Sequence, residues 1–304
     1  MRVRRILLPL VVVAVLAGCA SQAVPGTAPS TSASPKAPTT TSGFATTPSW
    51  SYDFNGPLDT SVFTPEVTGD GGGNGEQQFY TAANTYTKDG KLVIKAERVT
   101  TPYRGKNYTS GRLSTLKSFT PTYGRFVWKG VTLPKGIGTW PALWLYPVGA
   151  KYGPSDVASF RGGSDETLNG ELDVMEWVGA DPGAVYATAH SYLNYPDHSP
   201  RTKAQQISDP TSTPHDYWLE WTPTYVAFGV DGAEYYRVVK QADWGPERWP
   251  YDQPYYMIMN VAMGGSWGGS MKEQDPKHYP DGIDPNFSSA QMKVDGVEYY
   301  RFNQ

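Results

Sequence analysis

The chain of 304 residues has a single cysteine and four histidines. One thiol excludes an internal disulfide framework and a CxxC zinc site, and four imidazoles leave little for a histidine-rich metal centre. A basic excess is missing too: 26 Lys and Arg stand against 29 Asp and Glu, for a formal charge of −3. A nucleic-acid binder would show the opposite balance. Long helical patterns are also lacking. No window of 15 residues keeps a 3.6-residue apolar period free of Gly or Pro, which number 32 and 26. That argues against a helical bundle or coiled coil. There is no HExxH, no P-loop and no fixed-period repeat of the kind that builds a propeller.

Aromatic residues, by contrast, are plentiful: 10 Trp, 21 Tyr and 10 Phe, or 13% of the chain, against 18% charged. The first residues stand apart from the rest. Arg2, Arg4 and Arg5 precede an apolar stretch from Ile6 to Leu16. A span of the bilayer takes about 20 residues, so this stretch reads as an export signal. It ends in Leu16-Ala17-Gly18-Cys19, which resembles the bacterial lipobox. The resemblance implies cleavage after residue 18 and a lipid anchor on Cys19 in the bacterial cell membrane; an ordinary secretory signal is the alternative. Residues 19–49 hold one charge, Lys36, and five prolines. Such a segment cannot bury enough apolar surface to offset its ordering entropy, so it is expected to be a disordered tether. The folded domain is expected over residues 50–304.

From Trp50 onward, short alternating runs are separated by turn signals. Lys91 to Ala96 follows Asp89-Gly90, and Glu171 to Trp177, Tyr217 to Trp221, Tyr225 to Val230 and Tyr255 to Met263 read the same way. Many short strands over about 255 residues suggest two packed antiparallel sheets.

The segment Glu171-Leu172-Asp173-Val174-Met175-Glu176 carries the most chemistry. On a regular strand Glu171 and Asp173 share one face, with Leu172 and Val174 on the other. Glu176 lies five positions from Glu171 and would fall on the apolar face, where an ionised carboxylate costs several kcal/mol. One extra residue at Met175, absorbed as a β-bulge, returns Glu176 to the acidic face. Three carboxyls crowded on one face repel each other and raise the pKa of at least one. That is what glycoside hydrolysis needs: one ionised carboxylate beside one protonated acid. A calcium site and a solvated polar face are the plain alternatives.

Gly170 to Gly179 resembles the signature of glycoside hydrolase family 16, in the bulged ExDxxE form of its laminarinase-like members. The resemblance extends through Asn74-Gly75-Glu76-Gln77-Gln78-Phe79-Tyr80, Tyr108 to Leu113, Trp140-Pro141-Ala142-Leu143-Trp144-Leu145, and Asn260 to Gly265. It implies an all-β jelly-roll sandwich with a substrate cleft on its concave sheet. It also implies a retaining route on β-1,3-glucan or mixed-linkage β-1,3-1,4-glucan. Glu171 would be the nucleophile, Glu176 the acid and base, and Asp173 the residue that tunes the pair. For substrate binding the resemblance and strand parity name Asn84, Arg112, Trp140, Trp144, Trp177, His190, Asn260 and Trp267. Trp177 directly follows Glu176 and is read equally as platform or core. No cofactor is expected for the chemistry. A structural Ca²⁺ is implied at Asp53, Gly90 and Asp295, mainly through backbone oxygens. A monomer, bound to polysaccharide and to the membrane but not to nucleic acid, is expected.

Two rivals come from other classes. Gly264-Gly265-Ser266-Trp267-Gly268 fits the GxSxG pattern of serine hydrolases, but no apolar helical period follows it. A sandwich that binds glycan without cleaving it would not need three acids. Transglycosylation and action on a galactan stay open, because the segment from Lys151 to Leu168 lacks the Trp-Pro motif that often precedes the acids in laminarinases.

Overall fold

The structure, a computed structural model, describes residues 43–152, 168–192 and 201–303. These lie in one compact unit spanning 35–304. The expected signal peptide, Cys19, the expected tether up to residue 42 and most of the Lys151 to Leu168 segment fall outside the described residues.

In chain order the strands are β1 (Trp50–Asp53), β2 (Thr64–Pro65), β3 (Gln78–Tyr80), β4 (Thr85–Lys88), β5 (Lys91–Tyr103) and β6 (Lys106–Ser110). Then come β7 (Arg112–Ser114), β8 (Gly124–Val131), β9 (Thr139–Pro147), β10 (Glu171–Val178), β11 (Asp181–His190) and β12 (Arg201–Gln206). The last are β13 (His215–Trp221), β14 (Tyr225–Val230), β15 (Ala233–Val239), β16 (Tyr255–Met263), β17 (Ser289–Val294) and β18 (Gly296–Tyr300). Two short helices, α1 (Gly265–Gly268) and α2 (Met271–Gln274), follow β16.

A six-stranded outer sheet runs β1-β18-β8-β13-β14-β15, and a seven-stranded inner sheet runs β12-β11-β10-β9-β16-β7-β2. Both are antiparallel throughout. A third, five-stranded sheet, unforeseen in the sequence, groups β17, β5, β6, β3 and β4 and contains one parallel pair, β3 with β6. Strand alternation explains the packing. Phe126 and Trp128 of β8, Tyr217, Leu219 and Trp221 of β13, and Phe228 of β14 point inward. They meet Leu143 and Leu145 of β9, Val185, Ala187 and Ala189 of β11, and Met257, Met259 and Val261 of β16 in one core. Burying a large apolar side chain of this kind contributes about 1.5–3 kcal/mol.

The domain begins earlier than residue 50. Phe44 is 7% exposed and bridges to Phe302, and Ala45 N–H donates to the Arg301 carbonyl. Residues 43–49 are therefore a pairing segment along the C-terminal edge, where composition alone suggested tether. Phe44 is the one large apolar side chain in that stretch, and its burial decides the boundary.

Candidate active site

The site is built on β10, and its geometry comes from one irregularity. Against β9, Asp173 pairs with Trp144 and Met175 with Leu143, so Val174 is the residue without a counterpart. Against β11, Asp173 pairs with Thr188 and Glu176 with Tyr186, two steps on one side against three on the other. The expected bulge is thus present, spread over Val174 and Met175 rather than at Met175 alone. Both of these side chains are fully buried, while Glu171, Asp173 and Glu176 all line the cleft on the opposite face. A bulge of this kind kinks the strand and re-aims the residues beyond it.

The cleft has a volume of about 660 Å³ and crosses the inner sheet. Glu171 pairs in register with His190, and the His190 Nε2 lies 3.0 Å from Asp173 Oδ2. Carboxylate oxygens of Glu171 and Asp173 and a His190 ring nitrogen all lie within 4.8 Å of one another. Asp173 is nearly buried, 3% exposed, between the two glutamates. Trp140 Nε1 donates to Glu176 Oε1 at 3.0 Å, and Trp140 meets Trp267 edge to face at 5.7 Å. Trp144 Nε1 donates to Asn260 Oδ1 at 2.7 Å. The Arg112 guanidinium lies 4.9 Å from the Trp144 ring and 2.8 Å from Glu66 Oε2. Burial opposes the Arg112 charge, but Glu66 and its neighbours hold its pKa above the usual arginine value.

The structure therefore places Arg112, Trp140, Trp144, His190, Asn260 and Trp267 in the cleft wall. It does not bring two of the named residues there. Trp177 is 1% exposed and donates from Nε1 to the Pro182 carbonyl at 3.3 Å. Having passed the bulge, it shares the inner face with Met175 and belongs to the core. Asn84 is also buried, in a short helical turn, Ala82–Asn84. Its Nδ2 donates to the Lys95 carbonyl and to Glu97 Oε1, and its Oδ1 accepts from Thr81 Oγ1. It ties that turn to β5 and has no place in the cleft lining.

Gly264 to Gly268 does follow a strand with a helical turn, but α1 is four residues long. Ser266 N–H donates to the Asn74 carbonyl, and the turn carries Trp267 to the cleft rim. Asp53, Gly90 and Asp295 gather at one end of the outer sheet. Asp53 pairs in register with Gly296, and Lys91, next to Gly90, pairs with the Asp295 carboxylate.

The profile of Glycosyl hydrolases family 16 matches residues 74–284. A beta-glucanase of Rhodothermus marinus is 37% identical over 265 residues, covering 83% of this chain and 84% of that one. The chain belongs to glycoside hydrolase family 16. Glucan endo-1,3-beta-glucosidase A1 of Niallia circulans is 33% identical over 279 residues, 83% of this chain but 37% of that protein. The solved laminarinase from Rhodothermus marinus superposes with a TM-score of 0.74 at 35% identity, covering 85% of this chain and 98% of that one. The fold is thus the jelly-roll sandwich of laminarinases, and the protein is a glycoside hydrolase.

Sequence reasoning missed several lining residues of this family 16 cleft: Glu66, Glu76, Tyr146, Tyr186 and Tyr256. Parity could have found three of them. Tyr146 lies two residues beyond Trp144, Tyr186 four before His190, and Tyr256 four before Asn260, each on the cleft-facing phase of its strand. Glu66 lies on a loop, where no period applies.

Proposed function

We propose that this family 16 enzyme cleaves internal bonds of β-1,3-glucan or mixed-linkage β-1,3-1,4-glucan with retention of configuration. The observation that carries the reading is the bulged strand: it turns three carboxyls onto one face, in a cleft walled by Trp140, Trp144, Tyr146, Tyr186, Tyr256 and Trp267. Apolar faces of uncharged sugar rings stack on such walls. The described lining also holds six carboxylates, Glu66, Asp70, Glu76, Glu171, Asp173 and Glu176, against one arginine. That balance repels an anionic polymer and favours a neutral glucan over a sulfated galactan.

The chemistry assigned to these residues is a double displacement. A Glu171 carboxylate oxygen attacks the anomeric carbon while Glu176 gives its proton to the departing glycosidic oxygen. The bond to the leaving sugar breaks as the bond to Glu171 forms. Glu176, now ionised, takes a proton from water, the resulting oxygen attacks the same carbon, and Glu171 leaves with its electron pair. Both residues end as they began. The Trp140 N–H holds the Glu176 carboxylate in place for both steps. Asp173, with its carboxylate within 4.8 Å of that of Glu171 and 3.0 Å from His190 Nε2, fixes the nucleophile and sets the charge around it.

The deciding experiment incubates the purified protein with laminarin, lichenan, agarose and arabinogalactan, sizing the products and following their anomeric form. Oligosaccharides released from laminarin with the β configuration are expected. Cleavage of agarose alone would overturn the substrate, and inverted products would overturn the route.

Two further readings keep to the same chain. Attachment through a lipid on Cys19 would hold the enzyme at the membrane; palmitate labelling lost in Cys19→Ala tests it. A calcium ion held by the Asp295 carboxylate and backbone oxygens of Asp53 and Gly90 would act on stability only. These are hard oxygen donors of the right type, and the Lys91 ammonium is the rival for Asp295. EDTA should then lower the melting temperature, and an unchanged value removes calcium from the account.

A further inference from the structure

Glu76 stands in the cleft wall, 7% exposed, outside the acid strand and without a part in the chemistry above. A carboxylate so far from water needs partners, and it has them. Its Oε2 accepts from Gln78 Nε2 at 2.6 Å and from the Tyr80 hydroxyl at 3.1 Å. The Tyr80 oxygen accepts from Asn260 Nδ2 at 3.1 Å. Asn260 Oδ1 in turn accepts from Trp144 Nε1 at 2.7 Å. One continuous chain of hydrogen bonds thus joins the Trp144 indole to the Glu76 carboxylate.

The direction of that chain is forced by its ends. An indole N–H can only donate, and an ionised carboxylate can only accept. The amide and the phenol between them could each work either way. With both ends fixed, one arrangement satisfies all three bonds: the Asn260 oxygen toward the indole, its nitrogen toward Tyr80, and the Tyr80 proton toward Glu76. Burial and the Glu76 charge push the Tyr80 pKa far above its usual value, so the phenol keeps the proton it donates. Gln78 is anchored as well, its Oε1 accepting the Met263 backbone N–H at 2.7 Å. Without an acceptor at position 76 the Tyr80 hydroxyl loses the bond that fixes it, and its oxygen is no longer held toward the Asn260 nitrogen. The amide then loses its own anchor, and the Asn260 oxygen no longer holds the Trp144 indole in one orientation.

We propose that Glu76 is a positioning residue for substrate binding: through Tyr80 and Asn260, its acceptor oxygen fixes the orientation of the Trp144 indole as a platform for a sugar ring. This rests on the glucanase reading, because it requires a sugar on Trp144. Glu76 acts at a distance from the carboxyls of β10, so its loss falls on KM and leaves kcat nearly untouched. Tyr80 is 3% exposed and too deep to meet sugar itself, so any change in KM on altering it must travel along the chain.

The test compares Glu76→Ala, Glu76→Gln and Tyr80→Phe by steady-state kinetics on laminarin, with melting curves for each. Glu76→Ala and Tyr80→Phe should each raise KM about tenfold with kcat within about threefold of wild type, as expected when one buried hydrogen bond that orients a binding group is lost. The glutamine variant keeps an amide oxygen able to accept both bonds, and it should recover most of the lost affinity. Tyr80→Phe retains the carboxylate and the ring, so it reads the chain even if Glu76→Ala fails to fold. An unchanged KM in Tyr80→Phe overturns the inference. So does a fall in kcat at constant KM, or a glutamine variant no better than alanine. A wild-type enzyme inactive on laminarin removes the glucanase reading and this inference with it; an active wild type whose variants keep its KM removes the inference alone.

Discussion

The two large sheets turn similar raw material to opposite ends. Each presents a row of ionisable and aromatic side chains on the face that looks away from the core. On the outer sheet the carboxylates meet cations: Glu220 lies 3.8 Å from Arg125 and 3.9 Å from Arg237, Glu234 also pairs with Arg237, and Lys129 pairs with Glu298 at 3.0 Å. Tyr225 donates to Glu220, and the Arg237 guanidinium covers its ring. On the inner sheet, carboxylates face one another across a cleft whose described lining holds a single arginine, itself against Glu66. Charge on the outer sheet is neutralised in place. In the cleft it is concentrated, which suits a reaction that must raise one carboxyl's proton affinity beside another's.

The sharpest break in that comparison is in activity. Glu171→Ala and Glu176→Ala should each lower kcat at least about a thousandfold, with an unchanged melting temperature, because neither side chain belongs to the core. Added azide should restore turnover to one of them. Retained configuration in the product of the Glu176 variant, or inverted configuration in that of Glu171, supports the assigned roles; the reverse pattern exchanges them. The matching change on the outer sheet should act on stability alone. Glu220→Ala leaves Arg125, 4% exposed, without its carboxylate, and should cost about 3–5 kcal/mol while turnover per folded molecule stays as it was. A loss of turnover there would mean that the sheets are coupled.

Two tryptophans repeat the contrast within one sheet. Trp177→Ala empties core volume and should cost about 3–5 kcal/mol of stability. Trp144→Ala, in the cleft, should instead raise KM for laminarin about tenfold with little change in melting temperature. If the two variants behaved alike, the division of β9 and β10 into inner and cleft faces would be wrong.

The smallest effect concerns pH. His215 is held by Asp231 at 2.5 Å, and that hydrogen bond raises the His215 pKa despite partial burial. The folded protein then holds the histidine proton more tightly than the unfolded chain does. The pair's contribution is complete below the ordinary histidine value of about 6.5 and fades as pH rises through the raised one. Asp231→Asn should lower the melting temperature by a few degrees at pH 5.5 and by less at pH 8.5. A gap that stays constant across that range would show that the pair acts through neutral hydrogen bonding alone.

Most of this division was legible in the order of residues alone. Alternation along β10, with one phase error that only a bulge could repair, located the acids and their face. The same alternation held for Trp140 and Trp144. It failed where the local period carries no information. Asn84 sits in a helical turn whose orientation depends on β5, eleven residues away at Lys95. Phe44 looked like part of a polar segment, and only its pairing with Phe302 at the far end of the sequence ties it to the domain. Glu76 was visible as part of a motif, but nothing in its neighbours along the chain says that its carboxylate is tied through Tyr80 and Asn260 to an indole on another strand.

The bulge at Val174 and Met175 has a consequence for how this strand can change over time. Upstream of it, odd-numbered positions look into the cleft; downstream, even-numbered Glu176 does. The strand is written in two reading frames joined at a splice. A substitution alters one letter, whereas the loss of one residue at the splice would merge the frames and bring nucleophile and acid one position closer, with every other side chain keeping its layer. The separation of the two working groups is therefore set by length at a single point, and one deletion there could reset it without disturbing either the core or the cleft wall.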